Sequence, residues 1–381
     1  MEKRKIKFST PDITTDDLDN VVQVIKSGWL AHGKYSEELE TLFCSYTRAK
    51  YSTTVSNCTA GLHLSCLAAG FKMGDEVIVP AQTHTATSHA VEYTGAKAIF
   101  ADVDPITGNI LVSEIEKKIN SKTKGIIPVH MAGYPCEMKE IVEICNKNKL
   151  TLIEDCAHGI GTNFMNKHVG NFGIAGCFSF YPTKQITTGE GGIVVSNDKI
   201  FIDKVKKFKA FGIDTPPELR KKPGVYDVQG LGYNYRMTDF QAALGAGQMK
   251  RYEKNVLRRR MNAKQLCNSL IDLDEINFTS YTDSNSYFLF QIIVDDKIDR
   301  DKVLYMLQDH DIGISIHYAT PVPLMSYYKN KYGFKIGDFP NAEKYANQTI
   351  SLPIHPKLSE VDMDYIAFTI KKIIKDLTNE S

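Results

Sequence analysis

Residues 151–197 read TLIEDCAHGIGTNFMNKHVGNFGIAGCFSFYPTKQITTGEGGIVVSN. The stretch opens on a short apolar run, Leu152 and Ile153, that stops at Glu154 and Asp155. An apolar run ended by an acid is the pattern of a buried parallel strand whose C-terminal end carries a polar site. A second run, residues 176–181, leads to Lys184, and a third, 192–196, follows the glycine cluster of residues 189–192. One acid and one lysine therefore stand at strand ends in neighbouring segments, with a glycine-rich turn just beyond.

A lysine so placed can form a Schiff base with a carbonyl cofactor. An acid can keep that cofactor's pyridine nitrogen protonated, so that the ring withdraws electrons from a carbon being deprotonated. A lone lysine in a loop or a lone acid capping a helix would ordinarily be a solvated group, but here the motifs come paired, in order and at fixed spacing. EDCAHGIGT followed by SFYPTKQITTGEGG resembles the DegT/DnrJ/EryC1/StrS family of pyridoxal-phosphate-dependent sugar aminotransferases. The resemblance implies that Asp155, in a segment shared with His158, partners the pyridine nitrogen. It also implies that Ser179 contacts the cofactor phosphate and Lys184 forms the Schiff base.

Working outward, residues 51–55 are strand-like and run into Ser56-Asn57-Cys58-Thr59-Ala60, after which Leu62, Leu64 and Leu67 take up helical spacing. A strand, a small-residue turn and a helix N-terminus make an anion site, because unpaired N–H groups and the helix dipole face the ligand. Neither a dinucleotide G-x-G-x-x-G nor a Walker motif is present there. The resemblance assigns backbone groups of Thr59 and Ala60 to the cofactor phosphate, with Cys58 where a smaller residue is usual. It places His84, after the strand of residues 76–80, flat against the pyridine ring. Residues 98–104 and 125–130 read as further strands and 138–147 as a helix, an alternation that argues for a parallel α/β sheet.

Before this core, Leu18, Val21, Val22 and Ile25 mark an amphipathic helix over 16–27, ended by Gly28. SGW-x-x-x-G at residues 27–33 resembles a family segment that lies near the substrate. Beyond the core, residues 200–209 form a helix with a basic face expected to be solvated. Residues 211–228, with Pro216, Pro217 and Pro223, read as a long loop. GYNYRMTD at 232–239 again resembles the family, where it implies that Asn234 reaches the cofactor phosphate of a neighbouring subunit in a homodimer with shared active sites. A long charged helix from residue 251 leads to a second α/β part. There residues 287–294 read as a strand, 300–310 as a helix and 360 onward as the last helix; His317 and Tyr318 match a family pattern near the substrate channel.

The expected fold is therefore α/β of the aspartate aminotransferase type (fold type I). It has a large cofactor-binding domain over 1–250, built on a mostly parallel seven-stranded sheet, and a smaller C-terminal α/β domain over 251–381. The net charge of +1 gives no electrostatic case for nucleic acid or an anionic membrane, and no apolar run approaches the ~18 residues that span a bilayer. No signal peptide is read at the start of the chain. Eight scattered cysteines, with no C-x-x-C and no zinc spacing, suggest reduced thiols, no metal and a cytoplasmic enzyme.

The resemblance implies transfer of an amino group from glutamate, leaving 2-oxoglutarate, to a nucleotide-linked ketosugar. SGWLAHG and ITTGEGG are closest to members acting at C4 of 4-keto-6-deoxy sugars in surface polysaccharide synthesis, such as lipopolysaccharide O-antigen. SFYP also occurs in members acting at C3. Sugar deoxygenation on this fold lacks the lysine, and a non-catalytic cofactor-binding regulator could lack the lysine or the acid.

Overall fold

Runs such as EVIVP and GIVVS are buried along nearly their whole length, and each forms a strand in the interior of one sheet. In the computed structural model, which describes residues 2–215 and 220–379, the chain begins with α1 (Thr15–Ser27) and α2 (Lys34–Thr47). Pro216 and Pro217 lie outside the described residues. Strands and helices then alternate: β1 (Tyr51–Val55), α3 (Cys58–Ala68), β2 (Glu76–Pro80), α4 (Thr85–Glu92), β3 (Lys97–Ala101), α5 (Val112–Lys118), β4 (Thr123–Ile126), α6 (Met138–Asn148) and β5 (Thr151–Asp155). A small hairpin of β6 (Asn163–Phe164) and β7 (Lys167–His168) precedes β8 (Ala175–Ser179), β9 (Gly192–Ser196) and α7 (Lys199–Lys209). Helices α8 (Asp239–Lys250) and α9 (Tyr252–Leu270) lead to β10 (Ile276–Asn277), β11 (Phe290–Val294), α10 (Arg300–Asp309), α11 (Ser326–Tyr332), α12 (Pro340–Gln348), β12 (Thr349–Leu352) and α13 (Glu360–Asn379).

Seven strands form one sheet in the order β1-β9-β8-β5-β4-β2-β3. β9 runs antiparallel to both its neighbours, and every other pair is parallel. Parallel neighbours require long crossovers, which the helices supply. The C-terminal ends of β1, β2, β5 and β8 therefore open on the same edge, where ligands of open α/β sheets bind. β10, β11 and β12 form a second, antiparallel sheet. Its core includes Leu266, Leu270, Ile292, Val294, Ile350 and Ile370.

Helix α9 joins the two cores: Tyr252 and Val256 pack under the large sheet, while Ala263, Leu266 and Leu270 pack under the small one. The 250/251 division falls between α8 and α9. The N-terminal segment lies across it, since Ile6 pairs with Ile312 and joins the small-sheet core. No helix among the described residues is long and apolar enough to cross a membrane.

The structure differs from the sequence expectations in the extent of β3 and β4, which end at Ala101 and Ile126 and not at residues 104 and 130, and at three further places. In α1, Leu18, Val22 and Ile25 face outward, 56%, 43% and 57% exposed, and Val24 and Asp17 face inward. Asp17 is drawn in by Arg251, whose Nη1 donates to Oδ1 at 2.9 Å. The helices approach so closely there that a Cβ on Gly247 would lie 1.9 Å from that same oxygen. On α7, Lys209 is buried, not solvated. The strand read from residue 287 begins only at Phe290, because Tyr287 adopts a left-handed φ of 48° that no strand accommodates.

Candidate active site

At the shared edge of the large sheet lies a cavity of about 680 Å³. Asp155, Ser179, Lys184, His84 and the Asn57–Ala60 turn all line it, as do His317 and Tyr318 from the C-terminal part.

Asp155 ends β5 and is 3% exposed. Thr87 Oγ1 donates to its Oδ2 at 2.8 Å and the Ala157 amide to its Oδ1 at 3.0 Å. Thr87 is itself held by a 2.8 Å hydrogen bond to the Thr83 hydroxyl, one helical turn back. Burial raises the Asp155 pKa above the usual carboxylate value, opposed by these donors and by the charge of Lys184. The neighbouring Glu154 has a different task. It accepts the amides of Gly170, Phe172 and Gly173 at 2.7, 2.7 and 2.9 Å and meets His130 Nε2 at 3.2 Å. His130, Glu154 and Cys156 thus bring metal-ligating atom types together, but the Glu154 oxygens are already engaged in fixing the 170–173 turn.

Lys184 sits in the turn after β8, its amide bonded to the Tyr181 carbonyl at 2.9 Å. Its side chain borders the cavity while its amine lies deep, 4.3 Å from the Phe288 ring centroid. Burial lowers that amine to about 8, against the opposing pull of Cys58 and Asp155.

The Asn57–Ala60 turn is a helix N-terminus. Asn57 caps α3 from an extended conformation and accepts the Ala60 amide on Oδ1 at 2.8 Å. The Ala60 amide, expected to face a phosphate together with that of Thr59, is thus bonded within the cap and borders the cavity. The Cys58 and Thr59 amides have no acceptor among the described residues. The turn lies directly on β9, where a Cβ at Gly192 would stand 2.7 Å from the Cys58 nitrogen. Ser179, at the end of β8, faces the same space.

The remaining expected residues divide. His84 lines the cavity, caps α4 by accepting the Ala86 amide on Nδ1 at 3.2 Å, and meets the Tyr318 ring edge-on at 5.7 Å. His158 lies behind the cavity wall: its ring packs at a tilt against Phe288, 4.4 Å between centroids, and approaches the Tyr318 hydroxyl at 3.4 Å. Asn234 is exposed and outside its own chain's cavity, its Oδ1 taking Arg236 Nε at 3.1 Å. The helix that GYNYRMTD leads into nevertheless reaches the cavity lining at Glu190. Gln241 donates to the Glu190 carbonyl at 2.6 Å, and Asp239 accepts the Tyr35 and Ser36 amides at 3.3 and 2.9 Å.

Thr87 and Phe288 escaped the sequence reading. A signal existed for Thr87, since Thr83 and Thr87 stand four apart at the head of a helix. None existed for Phe288, which arrives from a distant part of the chain.

Two free amides at a helix N-terminus suit a phosphate, a buried carboxylate suits a protonated ring nitrogen, and a deep amine of lowered pKa suits a carbonyl. The donor set fits pyridoxal phosphate. Comparison with known proteins gives the same result. Residues 11–371 match the family described as DegT/DnrJ/EryC1/StrS aminotransferases. The GDP-perosamine synthase of Escherichia coli O157:H7 is 37% identical over 367 residues, covering 96% of this chain and 98% of that one. Among solved structures, the putative sugar aminotransferase Spr1654 of Streptococcus pneumoniae, in its PMP form, superposes with a TM-score of 0.92 at 28% identity, covering 99% of both chains. Helicobacter pylori PseC, an aminotransferase of pseudoaminic acid biosynthesis, does so with a TM-score of 0.90 at 27% identity, covering 98% of this chain and 100% of that one.

Proposed function

The chain belongs to the DegT/DnrJ/EryC1/StrS aminotransferase family, and from that premise we propose that it transfers an amino group from glutamate to C4 of a 4-keto-6-deoxy nucleotide sugar. The product would be an amino sugar for a surface polysaccharide or other glycan. Membership makes the protein a pyridoxal-phosphate-dependent sugar aminotransferase. The nucleotide-linked substrate is supported by the GDP-linked product in the name of a relative 37% identical. The observation that carries the reading is the convergence of Asp155, Lys184 and the α3 N-terminus on one cavity of about 680 Å³, which has room for a sugar beside the cofactor.

When bound, pyridoxal phosphate supplies a carbonyl for amine exchange and an electron-withdrawing ring. In this reading Lys184 holds the carbonyl. Its amine, when free, would take up and return the proton of the donor's α-carbon. An amine lowered to about 8 keeps a usable fraction of free base near neutrality. Asp155 keeps the proton on the ring nitrogen, and Thr87 and the Ala157 amide hold its carboxylate in place. The backbone amides of Thr59 and Ala60, with that of Cys58 beside them, the α3 dipole and Ser179 hold the phosphate, and His84 flanks the ring.

Asn234 serves the site of a second copy. Its exposure outside its own cavity supports this, as does the outward apolar row of Leu18, Val22 and Ile25 on α1, which a second chain would cover. Eight free cysteines, seven of them buried, support a reducing, cytoplasmic setting.

The test is a panel of UDP-, GDP- and dTDP-linked 4-keto-6-deoxy sugars incubated with the holoenzyme and glutamate, following 2-oxoglutarate and locating the new nitrogen by NMR. Amination at C4 of one nucleotide sugar is expected. Amination at C3 would replace the positional assignment, and turnover confined to sugars without a nucleotide would overturn the substrate class.

A further inference from the structure

Lys184 has a neighbour that the chemistry above does not use. Its Nζ makes no hydrogen bond among the described residues and lies over the face of Phe288 at 4.3 Å. Phe288 is 3% exposed, and its ring is backed by His158 at 4.4 Å and His317 at 6.3 Å. The backbone carrying that ring is held in an unusual shape. Tyr287 is left-handed, a conformation that a bulky residue keeps only when its surroundings impose it. Arg259 of α9, buried and without a carboxylate partner among the described residues, donates Nη1 to the Tyr287 and Phe288 carbonyls at 3.1 and 3.3 Å. Asn285 Oδ1 takes the Tyr287 amide at 2.7 Å, and the Leu289 amide reaches the Ala132 carbonyl at 3.3 Å. A buried guanidinium is thus committed to presenting one ring.

We propose that Phe288 is a positioning residue for Lys184: its ring is the surface on which the lysine's ammonium rests whenever that amine is not bonded to the cofactor. The role rests on Lys184 being the cofactor-bearing lysine. An aromatic face attracts a cation most strongly in a site shielded from water. The other titratable groups facing the amine are Cys58 from α3, His84 at the head of α4, Asp155 from β5, His158 after β5 and His317 from the C-terminal part. Burial lowers all three imidazoles, so near neutrality they add no charge. The ring therefore holds the charged amine to one side of the cavity, and the attraction ends when the proton leaves.

The experiment uses full-length apoprotein and needs no turnover. Trace acylation of Lys184 with acetic anhydride is measured against pH by peptide mass spectrometry in the wild type, Phe288→Leu and Phe288→Tyr. Proton affinity at Lys184 is expected to fall about tenfold in Phe288→Leu and to stay near wild type in Phe288→Tyr. An unchanged midpoint in a folded Phe288→Leu protein, or an equal fall in Phe288→Tyr, overturns the role. Should Phe288→Leu fail to fold, pentafluorophenylalanine at position 288 keeps the ring's shape while removing its negative face; the same fall is expected, and an unchanged midpoint is again fatal. Borohydride trapping of the cofactor on a residue other than 184 would instead remove the underlying reading while leaving this titration as measured, so the two failures are distinguishable.

Discussion

Lys184 and Lys209 are both driven down to about 8 by burial, and they are opposites in every other respect. Lys209 Nζ, near the end of α7, donates to Thr53 Oγ1 at 2.6 Å and the Thr54 carbonyl at 2.8 Å, with Glu40 at 3.8 Å. Its backbone carbonyl takes the Tyr235 amide at 3.0 Å, and the preceding Phe208 carbonyl takes Tyr233 at 2.7 Å. It is a brace: it ties β1, which leads into the Asn57–Ala60 turn, to the segment that carries Asn234. Lys184 has an aromatic face in place of acceptors and borders a cavity. A lowered pKa marks both lysines, so the shift alone does not identify a reactive amine. What separates them is whether the charge is already met by hydrogen bonds and whether a substrate can reach it.

The largest expected difference between the two comes from removing each amine. Lys184→Ala should lose the visible-absorbing covalent cofactor and at least ~10³-fold in turnover, while Lys209→Met stays yellow and active. Borohydride reduction and peptide mapping check the attachment, and reduced cofactor on a peptide lacking residue 184 breaks the contrast. Next in size is Asp155→Asn, which keeps shape and removes charge. Cofactor should still bind, with the single-turnover reaction with glutamate slowed at least ~100-fold. Near-normal rates would reduce Asp155 to a structural acid.

The brace can be tested through the partner site it is proposed to serve. Lys184→Ala chains mixed with Asn234→Ala chains should regain activity, because a mixed two-fold dimer places both defects in one site and neither in the other. At most one working site per mixed dimer is expected. If the subunits demonstrably exchange and activity stays absent, Asn234 acts within its own chain.

The smallest effects concern stability. Lys209→Met should cost about 3 kcal/mol in chemical unfolding, since Thr53, Thr54 and Glu40 lose their buried donor. The folded-state pKa of Lys209, about 8, lies below its ordinary 10.5. Between those values the unfolded chain binds more protons than the folded one, so this group makes stability rise with pH across the window. The apoprotein should accordingly gain thermal stability relative to Lys209→Met on going from pH 8 to pH 10. A gap that narrows instead would mean that the ammonium is not disfavoured by burial.

Much of the fold was legible because its signals are local. The apolar runs at 76–80, 151–155 and 192–196 are too short and too β-branched to be helices, and each became a strand of the seven-stranded sheet. Asp155, Lys184, Ser179 and the Asn57–Ala60 turn were readable because each sits at a strand end, and a parallel sheet brings such ends to one edge. The helix at 16–27 was legible, but which of its faces meets the chain's own core was not. Local periodicity favoured Leu18, Val22 and Ile25, and the distant Arg251 decided for Asp17. Lys209 was misjudged for the same reason: a lysine-rich helix looks solvated until Thr53 and Glu40 arrive from elsewhere.

By itself, then, the sequence determined the strand–helix alternation, the polar residues at the strand ends and, through EDCAHGIGT, SFYPTK and GYNYR, the family and its cofactor. The first two follow from spacing along the chain, which backbone geometry converts directly into position; the family and cofactor follow from the resemblance those motifs carry. The tertiary structure alone decided that Thr87 holds Asp155 and that the Lys184 amine lies over Phe288, an approach across 104 positions of chain. Such contacts depend on which distant surfaces can be close-packed together, and that is a property of the assembled layers that no window of sequence contains.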